Sequence, residues 1–112
     1  MGKITFEFSF VTEQGIKILN VSGTSDMWKG FDASYLLTEI CESLLYSSVS
    51  KIRFDFSSIS FISSCCFGVM ANVAGKAIEL NKSIVFKFGK EIIDAMSVTG
   101  MKSMIPIENM QE

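Results

Sequence analysis

The stretch that decides the fold is KIRFDF at Lys51–Phe56 together with SFISSCCFGVM at Ser60–Met70, which leads into a helix-like segment ending near Leu80. The alternation in the first part predicts a strand, and the second part is crowded with hydroxyl and thiol side chains. A helix start gathers unpaired backbone N–H groups and the positive end of the helix dipole, so a serine there can cap the helix and a phosphate there is stabilised. The junction is therefore a candidate charge switch.

Other segments alternate between apolar and polar residues in the same way, which predicts further strands. Glu13, Gln14 and Gly15 are typical of a turn, so the two segments that flank them should form a hairpin. A fifth, short edge strand is predicted near the end of the chain, where Pro106 limits pairing. The predicted strands are Ile4–Phe10, Ile16–Val21, Lys51–Phe56, Ser83–Phe88 and Met101–Ile107.

Three helices are predicted between these strands. Asp32 is a suitable N-cap for the first, with Phe31 and Leu36 at the positions of a hydrophobic staple. The third runs from about Lys90 to Thr99, and Gly100 follows it as a left-handed C-terminal residue. The predicted inward residues of the first helix are Ala33, Leu36, Leu37, Ile40, Cys41 and Leu44, with Glu39, Glu42 and Ser43 opposite; those of the third are Ile92, Ile93 and Met96.

The second helix, Ser64 to about Leu80, has two distinct faces on a helical wheel. Cys66 points inward and Cys65 outward. The predicted buried face is Cys66, Met70, Val73, Ala74, Ala77 and Leu80. The predicted outward stripe is Gly68, Asn72, Gly75 and Glu79, with Lys76 beside it.

The alternation within the strands also predicts the layers. Parallel strands buried between two helix layers are mostly continuous apolar runs, whereas nearly every strand here keeps polar residues on one face. We therefore expect an α/β protein with two layers, a mixed sheet of about five strands and three helices mostly on one face. Val11, Leu19, Val21 and Val85 could partly cover the other face or form an oligomer contact, so a homodimer is left open.

Length and composition set limits on the function. A chain of 112 residues, of which 48% are apolar, is sized for one domain that spans residues 1–112 and has its own core. Lys+Arg 10 against Asp+Glu 12, without a basic run, argues against a nucleic-acid partner. The apolar runs are short and interrupted, which argues against direct insertion into a membrane.

The chain contains no histidine, so imidazole bases, His-containing triads, His-ligated zinc and phosphohistidine relays are excluded. No metal cluster or glycine-rich phosphate loop is visible, and we expect neither enzymatic activity nor a cofactor. Cys41, Cys65 and Cys66 form no CxxC motif, and an odd count without a signal peptide predicts reduced thiols in a cytoplasmic protein. A Cys65–Cys66 disulfide is unfavourable because adjacent Cα atoms lie about 3.8 Å apart.

The order of the elements and the FISSCCFGVM junction together resemble the STAS domain, the family of bacterial anti-sigma factor antagonists that also occurs as modules in anion transporters and lipid-transport systems. The resemblance runs from about Ile4 to Ile107. The family pattern at the junction is Asp-Ser-Ser/Thr-Gly-Leu-Gly-Val-Leu. Laid on this chain, the Asp falls on Ser63, the first Ser on Ser64, the phosphorylated Ser/Thr on Cys65 and the first Gly on Cys66. More loosely, the chain also resembles the family's Gly-Glu-Leu-Asp at 23–26 and its Ser-Gly-Leu at 98–101.

The resemblance implies a partner-binding surface, whose candidate residues are Asp26, Trp28, Ser63, Ser64, Cys65, Phe67, Gly68 and Asn72. Because the acceptor position holds a thiol, Ser64 becomes the candidate phosphoacceptor, whereas the simpler interpretation is that Ser63 or Ser64 is a structural N-cap. Cys65 is either a small stand-in for serine or a thiol open to oxidation. Trp28 is either an interface anchor or a residue that packs over the first helix. Asp26 either holds a turn or meets the partner.

The resemblance implies, first, a regulatory binding module that sequesters a serine kinase/anti-sigma factor of the histidine-kinase-like ATPase fold. Phosphorylation adds a charge of about −2 and would release that partner. A second hypothesis is a constitutive subunit that docks on an ABC-type transporter ATPase without phosphorylation. A third is a thiol redox sensor that uses Cys65.

Overall fold

The computed structural model describes residues 6–23, 30–59, 62 and 64–108. The part of the chain so described contains four strands, three helices and one 3-10 turn. In chain order these are β1 Phe6–Glu13, β2 Ile16–Gly23, α1 Gly30–Leu45, β3 Lys51–Phe56, α2 Ser64–Glu79, β4 Ser83–Phe88, α3 Lys90–Thr99 and the 3-10 turn Met101–Met104.

The first two strands form the predicted hairpin. They pair antiparallel in one continuous register from Phe6 opposite Gly23 to Glu13 opposite Ile16. Gln14 and Gly15 occupy the two-residue turn with φ of 53° and 79°. Positive φ at both central residues is the geometry of a type I′ turn, whose twist matches that of the flanking strands.

The sheet has the order β1-β2-β3-β4. It is mixed, as predicted, because β1 pairs antiparallel with β2, whereas β2, β3 and β4 pair in parallel. One face carries the buried side chains of these three strands, such as Phe54 and Phe86. Leu19 and Val21 lie opposite Ile52 and Phe54 on this same face, so the expectation that they cover the other face is wrong. Buried residues of all three helices join the same core cluster. The protein therefore has the two predicted layers, with its helices on one face of the sheet.

Four phenylalanines form the centre of the core and are all fully buried. Phe54 stacks on Phe86 with ring centroids 5.2 Å apart, and Phe86 stacks on Phe88 at 6.1 Å. Aromatic pairs at such distances contribute about 0.5–1.5 kcal/mol beyond the area they bury. Because β3 ends at Phe56, this packing fixes the edge of the sheet from which the connection to α2 departs.

The predicted fifth strand at Met101–Ile107 is wrong, because the described residues form four strands and this segment is not one of them. Residues Met101–Met104 form a 3-10 turn, and only Ile107 makes a β-bridge, parallel to Phe86 on β4. Gly100, with φ of 79°, ends α3 in the left-handed conformation as predicted, and the chain turns at once into the 3-10 segment. The carbonyl of Pro106 accepts a hydrogen bond from Phe86 N at 2.9 Å. Because Pro106 has no N–H to donate, the pairing remains a single bridge.

Three further details of the helices differ from the prediction. Helix α1 begins at Gly30, so Asp32 lies inside its first turn and is not the N-cap. Leu36 is exposed, because the stripe of α1 that faces the sheet consists of Ala33, Leu37, Cys41 and Leu45. Leu80 is also exposed because α2 ends one residue before it.

Among the helices of the described residues, none is both long and apolar enough to cross a lipid bilayer.

Candidate partner-binding site

The connection from β3 to α2 is fixed by a hydrogen-bonded turn after β3 and by buried apolar side chains before α2. Asp55 Oδ1 accepts hydrogen bonds from Ser57 N at 3.1 Å and Ser57 Oγ at 2.6 Å, which ends the strand in a turn. Ile59 and Ile62 are buried in the core. Two buried anchors just before the helix leave little freedom for the position at which α2 begins, two residues after Ile62.

The end of β2 lies directly beside this connection. Ser58 Oγ donates to Gly23 O at 3.4 Å, and the parallel register places Ser22 opposite Asp55. A Cβ on Gly23 would lie 2.9 Å from both Ile59 Cδ1 and the Phe56 ring, so only glycine fits this approach. The two loops that leave the carboxyl ends of β2 and β3 therefore start side by side.

The first turns of α2 separate into a buried and an exposed side. Cys66 and Phe67 are buried, whereas Ser64 is exposed and Cys65 is half-buried. Further along, Gly68, Asn72, Gly75 and Glu79 are all exposed, and the predicted outward stripe is confirmed. We call Ser64, Cys65, Gly68 and Asn72 the junction surface.

Phe67 was predicted to contact a partner, but the structure places it 4% exposed in the core. It lies beneath the junction surface, where it holds the start of α2 on the sheet. Asp26, Trp28 and Ser63 lie outside the described residues, so their predicted roles stay predictions. The same is true of the proposal that Ser63 caps the helix, and Ser64 is the first residue of α2 itself.

The junction surface carries no acidic group in the first turn of α2. A Cβ added to Gly68 or Gly75 would meet nothing within 4 Å, so the helix backbone here is open to an approaching surface. The first N–H groups of a helix have no acceptor within the helix. The site is therefore accessible to another protein and suited to stabilising an added negative charge.

Helix α1 contributes exposed apolar residues that the sequence analysis missed. Both helices lead away from the carboxyl edge of parallel strands, and Glu42 of α1 pairs with Lys76 of α2 at 3.8 Å. Tyr35 lies seven residues before Glu42 in α1 and is exposed. Its neighbour Leu36 is exposed as well. The spacing of apolar residues along α1 predicts that Leu36 points inward. Tyr35, which precedes it, lies outside that predicted inward face.

The three thiols have distinct environments. Burial raises the pKa of the Cys41 thiol from 9.0 to about 12, with a smaller contribution from the charge of Glu42. Cys41 is completely buried, as predicted, and so is Cys66. Cys65 is thus the thiol that reaches the junction surface, and none of the three forms a disulfide.

One cleft of about 650 Å³ lies between α2 and the 3-10 segment and is lined by residues such as Ala74, Ile78 and Met104. Lys82 also lines it, but its Nζ donates to the carbonyls of Ser47 and Val49, both at 2.6 Å. Within the described residues, no group of three or more Cys, Asp or Glu is arranged to hold a metal ion.

No protein-family model matches the sequence, and no curated protein matches it. Solved structures do match. An anti-sigma factor antagonist from Mycobacterium paratuberculosis is 17% identical with a TM-score of 0.65, covering 95% of this chain and 87% of that one. The anti-sigma factor antagonist SpoIIAA in its unphosphorylated form is 12% identical with a TM-score of 0.67, covering 94% and 89%. At these identities the likeness shows the fold, which is the STAS fold of anti-sigma factor antagonists.

Proposed function

We propose that this protein is a bacterial, cytoplasmic regulatory binding module of the anti-sigma factor antagonist type, formed by residues 1–112 as one domain and without enzymatic activity. It sequesters a serine kinase/anti-sigma partner and so acts in transcription regulation. One observation supports this function above the others: in a STAS fold, α2 begins at the carboxyl edge of the sheet with Ser64, Gly68 and Asn72 exposed.

The contact is a flat one. Gly68 and Asn72 provide an open helix surface, and Cys65 adds a small, half-buried side chain beside Ser64. Asp26, Trp28 and Ser63 complete the proposed surface. Gly23 O accepts a hydrogen bond from Ser58 Oγ, so the end of β2 lies beside the β3–α2 connection.

Ser64 is the proposed phosphoacceptor. A phosphate on its hydroxyl would lie at the start of α2, where unpaired N–H groups and the helix dipole stabilise negative charge. The same added charge of about −2 would disrupt a partner that has to cover this surface. Phosphorylation would thus release the partner without unfolding the module.

A second candidate function follows from the thiol at the position that the family pattern gives to the phosphoacceptor. Cys65 is half-buried and cannot accept phosphate as a serine does. A module without an acceptor could bind constitutively, as a subunit docked on an ABC-type transporter ATPase. Incubation with the copurifying partner and ATP separates the two functions: one phosphate, lost in Ser64→Ala and kept in the exposed control Ser103→Ala, supports the switch.

The binding function itself is tested by a pull-down from the source cell. Gly68→Arg and Asn72→Arg should each abolish recovery of a kinase-like or transporter-ATPase protein, because they add bulk to the junction surface. Val98→Arg is the matched control, since Val98 is 88% exposed on α3. Recovery of no such protein by the wild type, or equal recovery by all variants, would refute the proposed surface.

A further inference from the structure

In the part of the chain that the structure describes, no element covers the outer edge of the sheet. Strand β1 is the edge of the sheet next to β2, eight residues long, and its register contains no bulge. Between Phe6 and Glu13 the sequence has no lysine, arginine or proline. Charged residues, prolines and bulges are the devices that usually keep an edge strand from pairing with another chain. Apart from its two glutamates, β1 lacks them.

The hairpin geometry identifies which backbone groups face outward. The type I′ turn makes Glu13 and Ile16 a hydrogen-bonded pair, and such pairs alternate along an antiparallel ladder. Ser9 therefore exchanges its hydrogen bonds with Asn20, whereas the N–H and C=O groups of Phe8 and Phe10 point away from β2. The described part of the chain offers them no acceptor or donor.

The side chains of the same two residues are also left uncovered. Phe8 lies opposite Val21 and Phe10 opposite Leu19, so both rings lie on the helix-bearing face of the sheet. Val21 and Leu19 are buried there, but Phe8 is 49% and Phe10 55% exposed. The described helices thus cover β2 and leave Phe8 and Phe10 exposed, with Lys17 Nζ 4.4 Å from the centre of the Phe10 ring.

We propose that a second copy of this chain pairs with β1 across a two-fold axis, joining the two sheets into one of eight strands. The antiparallel register centred on Ser9 places Phe8 opposite Phe10 of the second copy, and the reverse. The outward N–H and C=O groups of these residues then form hydrogen-bonded pairs, and the four exposed rings meet on one face.

Charge selects this register among the neighbouring ones. Centred on Ser9, it places Glu7 opposite Val11 of the second copy and opposes no like charges between Phe6 and Thr12. The register centred on Phe10 would place Glu7 opposite Glu13, which like-charge repulsion disfavours. The register centred on Phe8 pairs only Phe6–Phe10 of β1. The β1 edge is thus complementary to itself in a single long register. It lies two strands from β3, away from the junction surface.

The oligomeric state of the full chain tests the proposal. Sedimentation equilibrium should give a concentration-dependent dimer of twice the 12.4 kDa chain mass. The double variant Phe8→Lys with Phe10→Lys should raise the dissociation constant of the dimer at least about tenfold, because four cations would then meet across the edge. The matched control, Ile78→Lys with Val98→Lys, changes two exposed apolar residues elsewhere and should leave the dimer unchanged. A chain that stays monomeric, or a dimer equally stable in both double variants, overturns the proposal.

Cross-linking tests the register independently of any loss of stability. Ser9 would face Ser9 of the second copy as a non-hydrogen-bonded pair, whose Cα atoms lie about 4.5 Å apart and within reach of a disulfide. In a Cys65→Ser background, Ser9→Cys should form a covalent dimer on mild oxidation. Thr12→Cys, also exposed on β1, should not. Equal cross-linking of the two variants would contradict the register centred on Ser9.

Discussion

Arg53 and Glu108, 55 positions apart in the sequence, form an ion pair of 2.9 Å on the face of the sheet opposite the helices. The Arg53 guanidinium also pairs with Glu13 at 2.9 Å, and its Nε donates to Asn20 Oδ1 at 3.0 Å. The pKa of Arg53 is raised, first by the hydrogen bond to Glu13 and further by Glu108, although burial opposes this. One side chain thus ties together β1, β2, β3 and the C-terminal segment.

Removal of this guanidinium should loosen the C-terminal segment. We expect Arg53→Met to lower the free energy of unfolding by about 1–2 kcal/mol, since the arginine is only 12% exposed and supports several hydrogen bonds. The amide of Glu108, which donates to Phe86 O at 2.8 Å, should exchange faster with solvent. Urea denaturation and hydrogen exchange measure the two effects. The exposed pair of Lys90 and Asp94 is the control, and Lys90→Met should cost less than about 0.5 kcal/mol.

Two glycine-to-alanine substitutions should change stability in opposite directions. Gly23→Ala should lower the free energy of unfolding by about 1–3 kcal/mol, because its Cβ would lie 2.9 Å from the buried Phe56 ring. Gly75→Ala should raise it by about 0.5–1 kcal/mol, because the helix gains a methyl group that meets nothing within 4 Å. Chemical denaturation of both variants measures this. A stable Gly23→Ala protein would show that the junction beside β2 is looser than described.

Alkaline pH should act through Cys41. The unfolded thiol ionises near pH 9.0 but the folded one at about 12, so between these values loss of the proton favours the unfolded state. Below pH 9 this contribution is constant. At about pH 10.5 the stability advantage of the wild type over Cys41→Ala should have fallen by about 2 kcal/mol relative to neutral pH. Denaturation at the two pH values measures it, with Cys65→Ala as the control, and an unchanged difference would contradict the assignment.

Thiol labelling of the native protein should distinguish Cys65 from the buried thiols. One equivalent should react readily and disappear in Cys65→Ser, while Cys41 and Cys66 should react only after unfolding, because both are fully buried. The rate also tests the redox hypothesis. If Cys65 reacts no faster than a free cysteine, it acts as a small substitute for serine and not as a sensor.

Much of the fold could be predicted from local patterns. The bounds Lys51–Phe56, Ser83–Phe88 and Lys90–Thr99 agree with the prediction, because period-two alternation and a left-handed glycine are signals carried within a few residues. The burial of Cys66 and the more outward position of the half-buried Cys65 were also predicted, since neighbouring helical residues differ by about 100° around the axis.

The width of each buried face could not be predicted. Leu36 and Leu80 have apolar side chains on or near the predicted inward faces, yet both are exposed because the neighbouring layer does not reach them. Phe67 was expected at the partner surface and is buried. These outcomes depend on where other elements stop, which a single helix or strand does not encode.

The amino-acid sequence by itself determined the order of the elements, the faces of β3 and β4, the turn at Gly15 and the position of Ser64 at the start of α2. Each of these follows from steric preferences and polarity within one element. Only the tertiary structure decided that Arg53 pairs with both Glu13 and Glu108. It also decided that Gly23 lies close against Phe56 and Ile59, and that Phe8 and Phe10 remain exposed. Those relationships depend on elements far apart in the chain, whose meeting is set by packing of the whole core.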